Sequence, residues 1–579
     1  MEQICGITIA CALRGHDFKN EVQVAAQVFF PGARFEFLQN VVESTVKQNK
    51  FVAKCDVLKI TSTIIHRTAV AVFYKNGEEV SRAGVPVPCA DEAAAEYLPL
   101  RRVVILSVYH ALQKAVPTVT PWGALTGIRP SKPVRQWLAS GCADDEILRR
   151  LQDPFCVSEK KARLALEVAH AERRVEARIR GVGENTSNVD QVGVIKTSVH
   201  SPSMEKIPVG VYVSIPFCPT RCVYCSFNLS GKPPNADFLQ RYIAALTAEI
   251  REISARVREN GETVSSYYIG GGTPTFLPDE LLEKLLDEIC TSFNLGGKTC
   301  TLEDNAHVLD GNACTLDRRS PTHGVEFTLE AGRPDTLTPA KVKILQKYGI
   351  TRVAVNPQTM NDHTLAAIGR AHTAADFIKA FNLVREAGFI INTDIIAGLP
   401  GECLDDMRRN MDTLARLAPE NITVHTLAIK RASRLNEPPS GGHRREHIVR
   451  AETSSQSRFD FQIPKCTPND AHHHIEDMLK IAANACTDAG LLPYYLYRQK
   501  NMAALLENVG YALPGTECLY NVGMMAEVQT ILAAGAGAVS KFIDGDKITR
   551  KFNPKDPAIY ITRQKDQLLN VNPNEEENF

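Results

Sequence analysis

The stretch YVSIPFCPTRCVYCSF, residues 212–227, decides how the rest of the chain is read. It opens as a short apolar strand and ends in three cysteines spaced Cys218-x3-Cys222-x2-Cys225. Three thiolates packed this closely can take three corners of a cubane 4Fe-4S cluster and leave the fourth iron without a protein ligand. Structural zinc asks instead for four ligands, usually as paired Cys-x2–4-Cys units. The next cysteine downstream is Cys290, on a predicted helix, and no second pair follows. The chain has 16 cysteines in all. The rest, including Cys300 and Cys314, are scattered and read as small buried hydrophobes.

Outward from this motif the chain alternates between short apolar runs and helix-period segments. Strands are expected at Val211–Ile215, Tyr267–Ile269, Glu326–Leu329, Arg352–Val355, Asn392–Ala397 and Ile422–Ile429. Between them, Thr338 and Pro339 give an N-cap and a first-turn proline, and Gly349 a stop. Leu404, Met407, Met411, Leu414 and Leu417 share one helical face, as do Phe377, Phe381 and Val384 ahead of Gly388. Six strand–helix units predict an α/β domain over residues 209–435, a partial (β/α)6 barrel with a parallel sheet.

Residues 1–180 read as an N-terminal α+β region. Ile4–Leu13, Val22–Phe30, Phe51–Ile60 and Val70–Tyr74 look like strands, Asn76-Gly77 like a hairpin turn, and the stretch from Asp91 to Arg180 helical. A linker is expected at 181–208, where Gly, Ser, Asn and Pro dominate. Leu295–Gly324 and Asn436–Ala471 break the rhythm and read as surface insertions. Residues 472–579 read as a C-terminal region that completes the active site, ending in a tail from Asn572 rich in Asn and Glu.

Composition adds exclusions. The 66 basic and 66 acidic residues balance, so nothing global points to nucleic acid or an anionic membrane surface. No apolar run approaches a membrane span. The apolar stretch at Ile4 follows Glu2 and Gln3 rather than basic residues, unlike a signal peptide. Cytoplasmic location, with reduced thiols, is the expectation.

An iron with an open position can chelate the amino and carboxylate groups of S-adenosylmethionine (SAM) and pass an electron into its sulfonium. Carbon–sulfur cleavage then gives methionine and a 5′-deoxyadenosyl radical. Such a ligand needs polar groups at the mouth of the barrel, where strands end. Gly270-Gly271-Gly272-Thr273-Pro274 follows the second strand; it has neither the P-loop Gly-Lys-Ser/Thr nor a dinucleotide fingerprint, and its value is its position beside the cysteine loop. Glu330 ends the third strand, Gln358 follows the fourth, and Asp394 lies in the fifth before Gly398-Leu399-Pro400.

Residues 209–545 resemble the oxygen-independent coproporphyrinogen III oxidase group of radical SAM proteins. PWGALTGIRPSKPV (121–134) and YYLYRQKNMAALLENVGYA (494–512) resemble signatures of its HemZ-type branch, where the similarity spans the whole chain. The resemblance implies a radical SAM barrel with Cys218, Cys222 and Cys225 as cluster ligands. It implies SAM contacts at Tyr212, Gly271, Glu330 and Val539, and a second set at Tyr224, Gly272, Thr273, Gln358, Arg370, Asp394 and Ala428. The chain departs from the oxidase at Phe227, where the oxidase carries a further cysteine, at Ser214, where it has histidine, and in its long N-terminal region.

The activity implied is oxidative decarboxylation of two propionates of coproporphyrinogen III or a related tetrapyrrole, with an electron donor such as flavodoxin or ferredoxin. A haem chaperone of the same group, or another radical SAM tailoring enzyme, is the alternative. A substrate with four propionates calls for cations at the mouth. Lys430, Arg431 and Arg434 after the sixth strand, and Arg498 and Lys500 among Tyr494, Tyr495 and Tyr497, are the candidates.

Overall fold

The structure is a computed structural model. It describes residues 7–30, 33–38, 57–89, 92, 94, 97–116, 118, 120–181, 206–225, 233–295, 325–428, 433, 468–499, 502, 506–545 and 547–569. Phe227, Cys300, Cys314, Lys430, Arg431, Arg434 and Lys500 lie outside these residues, as do the terminal tail and most of the expected linker and insertions. The chain divides into two compact units. One comprises Met1–Glu167, Lys465–His473 and Tyr497–Glu507; the other comprises Val168–Pro464, His474–Leu496 and Asn508–Phe579.

The first unit is built on a five-stranded sheet in the order β2-β1-β3-β4-β5. Its strands are β1 (Thr8–Arg14), β2 (Arg34–Phe37), β3 (Leu58–Ile65), β4 (Thr68–Lys75) and β5 (Glu78–Pro86). β1 runs parallel to both neighbours, while β3, β4 and β5 are antiparallel. The Asn76-Gly77 turn is as expected. Both residues have positive φ, 54° and 89°, as a tight two-residue hairpin requires. Val22–Gln27 of the expected strand Val22–Phe30 are instead helical, within the helix Lys19–Gln27. Its buried side chains are Val22, Ala25 and Ala26, spaced at i, i+3 and i+4, so helical periodicity outweighs the β-branched content of the run. The helical stretch that follows holds Leu100–Ala115, Ser131–Ala139 and Asp144–Gln152, and the division between the units falls within the helix Glu159–Ile179.

The second unit carries the six expected strands. β6 (Val209–Ile215), β7 (Val264–Gly271), β8 (Glu326–Ala331), β9 (Arg352–Val355), β10 (Ile390–Ala397) and β11 (Asn421–Thr426) lie side by side, each parallel to the next. They are buried almost continuously, as strands of a parallel sheet covered by helices must be. The crossover helices include Ala236–Glu259, Asp279–Ser292, Pro339–Lys347, Ala374–Glu386 and Leu404–Leu417. The Thr338 hydroxyl accepts from the Lys341 amide, so the sequence-read cap is the cap observed. Met407, Met411 and Leu414 are buried along one face, as are Phe377, Phe381 and Val384.

The sheet extends beyond these six to eleven strands. β12 (Leu492–Tyr497) and β13 (Asn508–Ala512) continue it past β11, with β13 antiparallel to β11. At the other edge β14 (Ile531–Ala534) runs parallel to β6, and β15 (Val539–Asp544) and β16 (Lys547–Phe552) turn back antiparallel. β14 has only four residues, too short for a clear strand signal. The helix Pro468–Asp488 begins inside the stretch expected to be an insertion. Among the described residues no helix is long and apolar enough to cross a membrane.

Candidate active site

The cysteine loop leaves the end of β6 and is fastened by the glycine loop at the end of β7. The Gly272 amide donates to the Ile215 carbonyl at 2.8 Å, and the Thr273 amide to the Phe217 carbonyl at 2.8 Å. A Cβ on Gly272 would lie 2.6 Å from the Phe217 oxygen and 2.7 Å from that of Ile215, so only glycine permits this approach. The Thr273 hydroxyl meets the Cys218 sulfur at 3.3 Å. From the far side the Val223 amide donates to the Ile368 carbonyl at 3.1 Å. Val223 packs with Leu365, Ile368, Ile396, Leu399 and Leu427, and Tyr224 lies against this cluster.

The next strand end supplies a carboxylate. Glu330 accepts from the Tyr268 hydroxyl at 2.6 Å and from the Gly271 amide at 3.0 Å. Burial pushes its carboxyl up to about 7; nearby Asp394 adds to the shift, and the two hydrogen bonds oppose it. Tyr268 stacks on Tyr520 with ring centres 4.4 Å apart, and Tyr212 stacks against both at 6.2 and 5.9 Å. Burial raises all three phenols. Tyr520 is placed by Glu326, a buried carboxylate that accepts from the Leu519 and Tyr520 amides and pairs with Arg352 at 3.2 Å. Glu326 thereby satisfies the free N–H groups that open the helix Leu519–Ala526.

Asp394 lies on β10, two strands along the sheet from the one whose end carries Glu330. Its Oδ2 accepts from Asn356 Nδ2 at 2.9 Å and lies 3.6 Å from Nε2 of His425 on β11. Gln358 is tied to the same strand, its amide donating to the Asp394 carbonyl at 3.0 Å, in a left-handed conformation with φ 67°. Arg370 is buried, donates to the carbonyls of Asn356 and Gly332, and faces the Cys222 thiol and the Tyr224 hydroxyl. Asn356 Oδ1, Gln358 Oε1 and Arg370 Nε are buried with no partner among the described residues. Orphaned polar atoms of this kind carry a desolvation cost unless a ligand meets them.

Most of the residues singled out from sequence therefore meet. Contacts join Tyr212, Gly271 and Glu330; they also join Cys218 to Thr273, Cys222 and Tyr224 to Arg370, and Gln358 to Asp394. Ala428 follows Leu427, which packs with Val223 of the cysteine loop. Val539 opens β15 and pairs with Phe552. The turn before it is locked to β6, where the Ser214 hydroxyl donates to the Ala536 carbonyl at 2.9 Å. Tyr268, Tyr520, Asn356, His425 and Arg333 were not found by sequence reading. Tyr268 sits two residues before Gly270 on the same face of β7, which is the signal available for it, whereas Asn356 lies in the loop after β9, close in sequence to Gln358.

Three other expectations fail on packing. Tyr494 and Tyr495 are core side chains: the ring of Tyr495 fills the space above Gly510, and its hydroxyl meets Thr423 at 3.0 Å. Arg498 is engaged within the first unit, donating to the Leu125 carbonyl at 2.8 Å and lying over the Trp122 ring. Burial pushes its pKa down to about 10. Cys403 is exposed rather than buried, and stands at the N-cap of Leu404–Leu417.

Among the described residues, no three His, Cys, Asp or Glu side chains converge as ligands of one metal ion would. A cubane imposes no such convergence, since each thiolate takes a different iron. Cys218, Cys222 and Cys225 are all free thiols on one short loop and could each hold one iron of such a cluster.

Residues 212–414 match the Radical SAM superfamily. The chain is 35% identical over 460 residues to the oxygen-independent coproporphyrinogen-III oxidase-like protein HemZ of Bacillus subtilis, covering 79% of this chain and 77% of that one. It is 27% identical over 360 residues to the heme chaperone HemW of Haemophilus influenzae, covering 61% and 76%. Among solved structures, the coproporphyrinogen III oxidase HemN of Escherichia coli aligns over 62% of this chain and 70% of that one, at 20% identity and a TM-score of 0.42. With its six-stranded parallel array, its cysteine loop and a relative matched across most of both chains, the protein belongs to the HemZ-type, coproporphyrinogen oxidase-like branch of the radical SAM superfamily, whose cofactors are a 4Fe-4S cluster and SAM.

Proposed function

We propose that the chain catalyses oxygen-independent oxidative decarboxylation of coproporphyrinogen III to protoporphyrinogen IX. The observation that carries this reading is the extent of the match to HemZ: it covers 79% of the chain, more than the superfamily domain at 212–414. In this reading Cys218, Cys222 and Cys225 hold the cluster. Bound SAM and the cluster supply hydrogen-atom abstraction when an electron arrives from a donor such as flavodoxin or ferredoxin.

The chain's own residues then bind and orient. Glu330 and Asp394 would accept hydrogen bonds from the hydroxyl and ammonium groups of SAM, and Gln358, Asn356 and Arg370 would meet its remaining polar groups through their orphaned atoms. Tyr212 and Gly271 line the same wall, and Val539 and Ala428 flank it. Gly272 and Thr273 have amides already engaged by the cysteine loop, so their part is to hold that loop in place. Tyr224 is held against Arg370 beside Cys222.

Two of the four propionates each lose a hydrogen atom, carbon dioxide and one electron, which offsets the electron delivered by the donor, and become vinyl groups. Each two-electron oxidation is matched by reductive cleavage of one SAM to methionine and 5′-deoxyadenosine. The second reading is a haem chaperone, favoured by the HemW match over 61% of the chain. Anaerobic incubation of the reconstituted protein with SAM, dithionite and coproporphyrinogen III separates the two. Protoporphyrinogen supports the oxidase, whereas stable haem binding with no decarboxylated product supports the chaperone.

A further inference from the structure

Arg333 follows β8 and is almost completely buried, with 2% exposure. Its Nη1 donates to the hydroxyl of Thr220 at 2.7 Å, and Thr220 is the middle residue of the three between Cys218 and Cys222. The same hydroxyl donates onward to the Gly369 carbonyl at 2.8 Å. On its other edge the guanidinium reaches both oxygens of Asp335, at 3.2 and 3.5 Å. The next residue along from Gly369 is Arg370, which donates back to the Gly332 carbonyl at 3.0 Å. The two buried arginines thus close a ring through the cysteine loop, residues 332–335 and residues 369–370.

The charges in this ring do not cancel. Arg333 and Arg370 are cations and Asp335 is one anion. His372 lies 3.9 Å from Asp335 and stays uncharged near neutrality, because burial and the two arginines push it down to about 4. These ring groups carry one net positive charge against the loop, which itself contains Arg221. A fixed cation in a low-dielectric site favours whichever redox state of a neighbouring group is the more negative. Cluster potentials respond to net charge, hydrogen bonding and solvent exposure.

We infer that Arg333 is a positioning residue for the iron–sulfur cluster, pinning the cysteine loop through Thr220 while its charge keeps the cluster easier to reduce. The inference rests on Cys218, Cys222 and Cys225 being the cluster ligands. Arg333 touches neither iron nor SAM; it acts through the loop and through its charge.

The test is a redox titration of the anaerobically reconstituted full-length protein, followed by the electron paramagnetic resonance signal of the reduced cluster. Arg333→Gln should keep its iron but show about a tenfold lower ratio of reduced to oxidised cluster at a fixed potential, about 59 mV for a one-electron couple. Arg333→Lys should titrate close to the wild type. A fully loaded Arg333→Gln protein with an unshifted titration overturns the inference, and so does an Arg333→Lys protein shifted as far as the Gln variant. If Arg333→Gln takes up no iron, Thr220→Val decides, since it keeps the cation and removes the hydroxyl that ties the loop to Arg333 and to the Gly369 carbonyl. Iron loss to a chelator several-fold faster, at unchanged potential, supports the inference; unchanged iron loss overturns it. A wild-type protein that takes up no iron removes the ligand assignment and the inference together.

Discussion

Glu330→Gln isolates the contribution of one carboxylate to SAM binding with little disturbance of the fold. In the wild type, Oε1 accepts from Tyr268 and Oε2 from Gly271. A glutamine can keep its carbonyl toward the Gly271 amide and turn its amide toward the Tyr268 oxygen, because a phenol accepts as well as donates. Both local hydrogen bonds survive and only the charge is lost. A hydrogen bond to a charged group contributes roughly 1.5–3 kcal/mol, so SAM affinity should fall about 10- to 150-fold. The pH dependence sharpens the test. Burial and Asp394 hold the Glu330 carboxyl protonated up to about 7, so wild-type affinity should rise as pH passes through that value and flatten in the variant. Stability moves the other way. The folded chain binds this proton more tightly than the unfolded one, so the Glu330 contribution declines as pH rises from 4.5 to about 7, and the variant lacks that slope. Calorimetric titration with SAM on cluster-loaded protein, from pH 6 to 8, reads the binding effect. Affinity within twofold of wild type, with the cluster intact, would refute the role given to Glu330.

Further outcomes follow from contacts on the same sheet. Gly272→Ala places a Cβ against backbone oxygens of the cysteine loop, an overpacking cost of at least about 1–3 kcal/mol, and should lower iron loading while leaving the circular-dichroism spectrum native. Glu326→Gln breaks a buried pair with Arg352 and loosens the start of the helix that carries Tyr520. A loss of about 3–5 kcal/mol should appear as a lower thermal midpoint, and a midpoint equal to wild type would show the pair to be dispensable. Arg498→Ala should destabilise the first unit by about 1.5–3 kcal/mol through the lost Leu125 contact, with SAM cleavage per loaded cluster unchanged; a selective loss of porphyrinogen turnover at unchanged stability would restore it to the substrate site.

The barrel was legible because parallel strands buried on both faces leave uninterrupted apolar runs, and because the helix from Pro339 carries a plain cap and first-turn proline. The cysteine loop was legible from spacing alone. The two edges of the sheet were less so. β14 is four residues of Ile, Leu and Ala, a pattern shared by buried helices and strands, and only its pairing with β6 settles which it is. Lys19–Gln27 was misread because its β-branched residues, Val22 and Val24, sit at strand spacing while its buried set, Val22, Ala25 and Ala26, sits at helical spacing, so the short run carries both signals at once. Within the site, residues on strand ends emerged from topology. Arg333 and His425 did not, since a charged or imidazole side chain in sequence carries no mark of the partner it will meet. Arg498 shows the converse: a cation next to aromatic residues looks like a ligand site, yet its partner is a backbone carbonyl.

The most direct test of the proposed chemistry follows hydrogen. Coproporphyrinogen III deuterated at the propionate carbon next to the ring is incubated anaerobically with the reconstituted protein, SAM and reductant, and the 5′-deoxyadenosine is analysed by mass spectrometry. Expected is one deuterium in each 5′-deoxyadenosine, and two such molecules, with two of carbon dioxide, for every protoporphyrinogen IX. SAM cleavage that yields only unlabelled 5′-deoxyadenosine and leaves all four propionates intact would contradict the oxidase reading.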